Sequence, residues 1–215
     1  PVWWEGRRFN RPTQVWVSGN SNETTRDVPQ KMLFGPPGEL GLGMLPTSTI
    51  GRIINSRGTS GYIDTAKIKH VSGGWSTIRF KSFELGREKF QGATNDVQWL
   101  DEECPEDIYV EAYTRLNNGG DIIPGTRHRE GGILLLTATP LMGMTEVVEK
   151  FYPEPIDKQK ALVNMTIHDV FHYSEEQREA IIASYPEHER LARSEGIPAL
   201  GSGRVFPVSK ASVAV

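Results

Sequence analysis

The sequence predicts an α/β domain of three layers, a mostly parallel sheet between helices, followed by a small helical region. Three observations carry this. Two short apolar runs, Val97-Gln98-Trp99-Leu100 and Ile133-Leu134-Leu135-Leu136, flank a segment in which Ile108, Ala112, Tyr113 and Leu116 recur with helical spacing. Such a strand–helix–strand unit gives parallel, right-handed neighbours that bind ligands beyond their carboxyl ends. Upstream, Thr77-Ile78-Arg79-Phe80-Lys81 alternates as a half-buried strand does. Downstream, Ser174 with Gln177 three residues on reads as a capping box opening a helix.

In chain order, Gln14 to Gly19 reads as a strand, and Asn20 with Glu23 reads as the capped start of a helix running to Phe34. Gly35-Pro36-Pro37-Gly38 stops that helix. The following Gly38, Gly41 and Gly43 form a loop and not a phosphate cradle, because Met44-Leu45 stands where a Lys-Ser/Thr pair would be needed. Ile63 to Val71 and Ser76 to Ser82 are strands joined through Ser72-Gly73-Gly74-Trp75. Phe83 to Gly92 is a loop or short helix. Pro105 suits a first helical position, with Glu106 and Asp107 complementing the dipole, and Asn117-Asn118-Gly119-Gly120 ends that helix. Met144 to Tyr152 has helical spacing, Ala161 to Ile167 alternates like a strand, and the Ser174 helix is broken by Pro186. A second short helix stops at Gly196, and Gly201-Ser202-Gly203-Arg204-Val205-Phe206 reads as a hinge entering a strand.

The 215 residues, 37% hydrophobic and 24% charged, suffice for a core without staples, and no apolar run approaches the roughly 20 residues of a membrane span. Lys and Arg number 24 against 27 Asp and Glu, a net charge of −3, so any nucleic-acid contact must be local. Gly6-Arg7-Arg8-Phe9-Asn10-Arg11 beside Trp3 and Trp4 is the basic-aromatic stretch that stands out, a solvated edge being the alternative. The single Cys104 excludes a disulfide framework and fits a reducing compartment. His168 and His172, at i and i+4, could share a helical face as metal ligands, but no third ligand with suitable spacing accompanies them.

The chemistry sits at Asp101-Glu102-Glu103, directly after the apolar strand. In the arrangement called Walker B, the aspartate binds the Mg²⁺ of a nucleotide and the next glutamate polarises the attacking water. Asp101 is then the metal partner and Glu102 the general base, with Glu103 the alternative if the turn is rotated by one residue. The competing reading is that these acids merely dress a helix start, where the dipole favours them. Thr137-Ala138-Thr139 closes the second strand, where a hydroxyl pair can sense a γ-phosphate.

These residues resemble the large terminase subunits of tailed bacteriophages, motors that package DNA into the prohead. The resemblance runs from Trp3-Trp4-Glu5-Gly6-Arg7-Arg8-Phe9 through Gly86 to Gly92, Val97 to Glu103 and Leu136 to Leu141, and reaches Gly201 to Phe206. It implies a RecA-like P-loop NTPase core with Mg²⁺ and ATP at Asp101 and Glu102, and a coupling role for Thr137-Ala138-Thr139. It further implies double-stranded DNA, portal protein and small terminase subunit as partners, a homo-oligomeric ring, and work in the host cytoplasm. Arg87 is the candidate for a trans arginine finger, a surface ion pair with Glu84 or Glu88 being the alternative. The expected organisation is a partial ATPase domain over 1–167, a helical linker subdomain over 168–200, and the start of a connection to a nuclease domain over 201–215. The family's Gly-rich phosphate loop is expected upstream of Trp3, so the core is read as N-terminally incomplete and inactive alone. A helicase-like ATPase and a non-catalytic module binding DNA or portal are the alternative functions.

Overall fold

The computed structural model describes residues 8–152 and 159–198. The Trp3 to Arg7 string and the Gly201 to Phe206 hinge lie outside the described residues. The chain divides into two compact units after Thr137.

The first unit is built on one six-stranded sheet ordered β2-β3-β4-β1-β5-β6. Its strands are β1 (Gln14–Gly19), β2 (Ile50–Asn55), β3 (Ile63–Lys69), β4 (Trp75–Ser82), β5 (Val97–Asp101) and β6 (Ile133–Thr137). The β4, β1, β5 and β6 ladder is parallel, and β2 and β3 add an antiparallel edge. Strand β2 escapes the sequence reading because Gly51 and Arg52 interrupt its apolar pattern.

Register sorts the side chains onto two faces. Val15 and Val17 stand beside Ile78 and Phe80, and Trp99 beside Val17, on the face that packs with Phe34. Trp16, Ser18, Gln98 and Leu100 share the other face, where Gln98 Nε2 donates to the carbonyl of Ala112 at 2.9 Å and so ties β5 to α3 (Glu106–Thr114). Helical segments therefore cover both faces, giving the expected three layers. The segment over Val17 is α1 (Asn22–Thr25), a π turn over Arg26–Gln30, and α2 (Lys31–Phe34). Pro29 lies inside the π turn and, lacking an N–H, cannot continue the tighter hydrogen-bond pattern. The helix begins one residue later than Asn20 suggested: Ser21 is the cap, in a reciprocal box with Thr24.

In the second unit, α4 (Glu175–Ser184) is capped by Ser174 and Gln177 as its sequence requires, and α5 (Glu187–Glu195) ends at Gly196 with φ 64°. The Asn164 side chain donates to the Glu195 carbonyl at 2.7 Å. Two expectations fail here. Residues 161–166 form no strand, since no strand among the described residues pairs with them, and only a single turn over Val148–Lys150 becomes helical in the Met144 to Tyr152 stretch.

The parallel strands are braced at their entry ends by Asp96, which is 3% exposed. Its carboxylate accepts from Arg11 NH2 at 2.6 Å, the Gln14 amide at 2.8 Å and the Gly120 amide at 3.0 Å. Its carbonyl accepts from the Ile133 amide at 2.9 Å. One residue thus fastens β1, β5, β6 and the turn after α3. Burial pushes the Asp96 carboxyl up, but the hydrogen bonds from Arg11, Gln14 and Gly120 outweigh it and hold the group below its ordinary value. A carboxyl lowered on folding stabilises the native state above its unfolded pKa, and that contribution vanishes as pH falls through the folded value. Asp96→Ala is expected to cost about 2–3 kcal/mol at neutral pH. It should also flatten the loss of stability on acidification below about pH 4, both read from urea unfolding across pH.

Candidate active site

Strand β5 ends at Asp101, and in the parallel register Asp101 lies directly beside Thr137 at the end of β6. Residues 36 apart in sequence therefore meet: Thr137 Oγ1 donates to Asp101 Oδ1 at 2.8 Å. An ionised carboxylate can only accept, so the hydroxyl spends its single proton on Asp101. It accepts in turn from Trp99 Nε1, which lies 2.7 Å from Thr137 Oγ1, since an indole N–H can only donate. Sequence reasoning missed Trp99; its period-2 relation to Asp101 on one strand is the signal that could have found it.

Burial pushes the Asp101 carboxyl up, and the hydrogen bond from Thr137 partly opposes this. A carboxyl desolvated in this way favours an arriving cation as counter-charge. Among the described residues, Asp101 Oδ2 has no hydrogen-bond partner, so one oxygen is oriented and the other is left for a ligand. No group of three or more His, Cys, Asp or Glu side chains able to hold a metal occurs among the described residues. A lone carboxylate beside a hydroxyl does not make an all-protein cage. It does fit Mg²⁺, which keeps waters and is commonly held by one or two carboxylates together with substrate phosphates.

Glu102 follows in the left-handed region, with φ 75°, unlike any other described non-glycine residue. Its amide donates to the Thr137 carbonyl at 2.7 Å, so the backbone is anchored to β6 while the side chain is exposed. The next residue but one, Cys104, is buried, and burial pushes its thiol up to about 12, which makes it an anchor and not a nucleophile. Glu102 is in no helix: α3 begins only after Pro105. Glu103 is half-buried within the same turn.

Ala138 is exposed and Thr139 half-exposed, and the Thr139 carbonyl accepts from the Leu141 amide at 2.8 Å. Both belong to the second unit, whereas Thr137 closes the first. Arg87 pairs with neither Glu84 nor Glu88. Its Nε donates to Glu111 Oε2 at 3.1 Å, and Arg115 holds the other oxygen of the same buried carboxylate. The histidines share no helix, since His168 lies in a 3₁₀ turn with Nε2 3.7 Å from Glu195 and the His172 ring packs on Tyr173.

Comparison with known proteins bears on this geometry. Residues 8–213 match the family model described as terminase large subunit, T4likevirus-type, N-terminal. The chain is 41% identical over 218 residues to the terminase large subunit of Salmonella phage P22, covering 98% of this chain and 41% of that protein. It is 46% identical over 122 residues to the terminase large subunit of Enterobacteria phage LP7, covering 57% of this chain and 23% of that one. It thus spans well under half of these relatives. The large terminase from a thermophilic bacteriophage shares the fold at TM-score 0.61 and 16% identity, over 88% of this chain and 41% of that one. A second structure of that thermophilic phage protein, in complex with ADP, gives TM-score 0.55 at 16% identity, over 89% and 41%. By its match along nearly all the chain, this protein belongs to the family of bacteriophage terminase large subunits.

Proposed function

We propose that this chain is the nucleotide-hydrolysing part of a motor that drives double-stranded DNA into a prohead. The observation that carries the reading is Asp101 and Glu102 at the exit of β5, beside the Thr137 hydroxyl at the exit of β6. In this reading Asp101 would hold the Mg²⁺ of ATP, directly or through water, and Glu102 would take a proton from the attacking water, with Glu103 as the alternative base. The ion, when bound, neutralises charge on the phosphates being parted.

Thr137-Ala138-Thr139 serves as the coupling segment. Because the Thr137 hydroxyl bonds to Asp101, a change of charge at Asp101 alters a bond at the last residue of β6, where the first unit gives way to the second. Arg87 serves as a trans arginine finger in a ring of identical subunits, and doing so requires it to leave Glu111, whose charge Arg115 would still balance. In the longer protein, residues 1–167 belong to the ATPase domain and 168–200, with α4 and α5, to a linker subdomain. Residues 201–215, outside the described ones, then lead towards a nuclease domain. Portal protein and small terminase subunit are the assembly partners, and the work is done at the prohead in the host cytoplasm. The ADP-bound terminase of similar fold supports nucleotide use. No helix among the described residues is long and apolar enough to cross a membrane, in keeping with that setting.

In full-length terminase carrying this segment, Glu102→Gln is expected to lower kcat for ATP by about 10²–10⁴-fold with little change in KM. Asp101→Asn should raise the Mg²⁺ concentration needed for half-maximal turnover. Retention of full turnover by both Glu102→Gln and Glu103→Gln would discard the reading. The 215-residue chain itself, whose sequence contains no Gly-Lys-Thr or Gly-Lys-Ser loop, should show no turnover. Backbone strain gives a separate check: Glu102→Gly should raise the unfolding free energy by about 1 kcal/mol, because glycine adopts the left-handed region freely. Urea melts of the two chains measure it, and a loss of stability would mean that the Glu102 side chain itself supports the fold.

A further inference from the structure

Outside the site just described, the first unit gathers positive charge on one face of its antiparallel edge. Register sets Thr65 beside Arg79, Lys67 beside Thr77, and Lys69 beside Trp75, so these side chains share a face. Ala66, Ile68, Ile78 and Phe80 go to the core on the other. Strand β2 joins the first face through a bulge, since it advances from Ile50 to Ile53 while β3 advances only from Ile68 to Ala66. The extra residue brings both Gly51 and Arg52 to the side of Lys67. Gly51, Arg52, Lys67 and Trp75 line one open depression, and the Trp75 ring lies so close over Gly51 that a Cβ there would overlap it.

The cations of this face stand outside ion pairs. Among the described residues, Arg52, Lys67, Lys69 and Arg79 have no carboxylate within 4.0 Å. Lys67 Nζ donates to the Thr77 hydroxyl at 2.7 Å, which holds the ammonium on the face, and Arg52, Lys69 and Arg79 are exposed. Lys81, next along the strand, is pushed down to about 8 by burial first and by the charge of Arg79 second, while Asp64 pulls the other way. Cross-strand neighbours stand about 5 Å apart and alternate residues about 7 Å apart, inside the roughly 8–10 Å over which salt screens charge, so the cations act together. In a chain of net charge −3 such a face is a local departure.

We infer that this face of β2, β3 and β4 docks the phosphate backbone of double-stranded DNA, with Arg52, Lys67, Lys69 and Arg79 as the phosphate contacts. A duplex fits better than a single strand, because single-strand binding uses successive aromatic platforms and this face exposes only Trp75, at 49%. The inference takes its duplex from the packaging reading but requires no nucleotide.

The test is fluorescence anisotropy of a labelled random-sequence duplex of about 30 base pairs with the 215-residue chain, without ATP, across about 50–200 mM salt. Affinity should fall with salt, and the Arg52→Gln, Lys69→Gln, Arg79→Gln triple variant should reduce the log–log slope by about 2.7. Neutralising the exposed Lys31 and Arg127 instead should leave the slope unchanged. A second readout needs no variant: the duplex should protect Lys67 and Lys69, but not Lys31, from amine acetylation mapped by mass spectrometry. Absence of salt-dependent binding, an unchanged slope in the triple variant, an equal loss in the Lys31 and Arg127 variant, missing protection, or tighter binding of a single strand would each overturn the inference. Turnover that survives Glu102→Gln and Glu103→Gln, with the slope result as expected, would remove the motor reading and leave this surface standing.

Discussion

The parallel pairing of β5 with β6 in one register is the constraint on which the candidate site depends. Successive side chains of a strand alternate between faces, so a slip of one residue would turn Thr137 to the face opposite Asp101. With the pairing Val97 to Ile133 and Asp101 to Thr137, the indole of Trp99, the hydroxyl of Thr137 and the carboxylate of Asp101 fall on one face and form a single chain of hydrogen bonds. No loop has to find its place for this to happen. The site is assembled on ladder geometry, which is stiffer than any surface connection.

That register is pinned from both ends. At the exit, the Glu102 amide extends the ladder by one more bond to the Thr137 carbonyl. At the entry, the Asp96 carbonyl holds the Ile133 amide, and Gly132 comes so near that a Cβ would stand 2.7 Å from the Asp96 carbonyl oxygen. Gly119 is likewise closed to any side chain by the Asn95 carbonyl. Bracing hydrogen bonds thus gather where the parallel strands begin, and the candidate site lies where they end. The Asp96 carboxylate is saturated with donors, whereas Asp101 receives one hydroxyl and keeps an oxygen to offer.

Much of this could be read from the sequence, because the decisive signals are local. The two apolar runs, the helix between them and the acids after Leu100 are contiguous features, and position at a strand end follows from them directly. What escaped reading depends on contacts distant in sequence. Glu111 is far from Arg87 along the chain, so the ion pair fell to the nearer Glu84 and Glu88 by default. The basic face escaped for the same reason. Arg52, Lys67, Lys69 and Arg79 are spread over three strands, and only hairpin pairing and a bulge bring them together, while the adjacent arginines near the start drew attention as a run. Residues 161–166 alternate without becoming a strand, since alternation expresses a half-buried position and a ladder also needs a partner.

Glu102 shows how the two ends of the design meet. A non-glycine residue in the left-handed region costs on the order of 1–3 kcal/mol, and it persists only where its surroundings over-determine it. Here the determination comes from both sides. Its amide is bound to β6, and two residues on the chain is fastened by the buried Cys104 before α3 starts and buries Ile108. A strand that relaxed at Glu102 would surrender the bond to Thr137 or the burial of Cys104. The backbone is therefore held while the carboxylate stays exposed, so the point from which the side chain projects is fixed and solvent still reaches it. A group that must meet a water molecule near an oriented aspartate gains from that combination, and a residue that merely dressed a helix start would have no use for it.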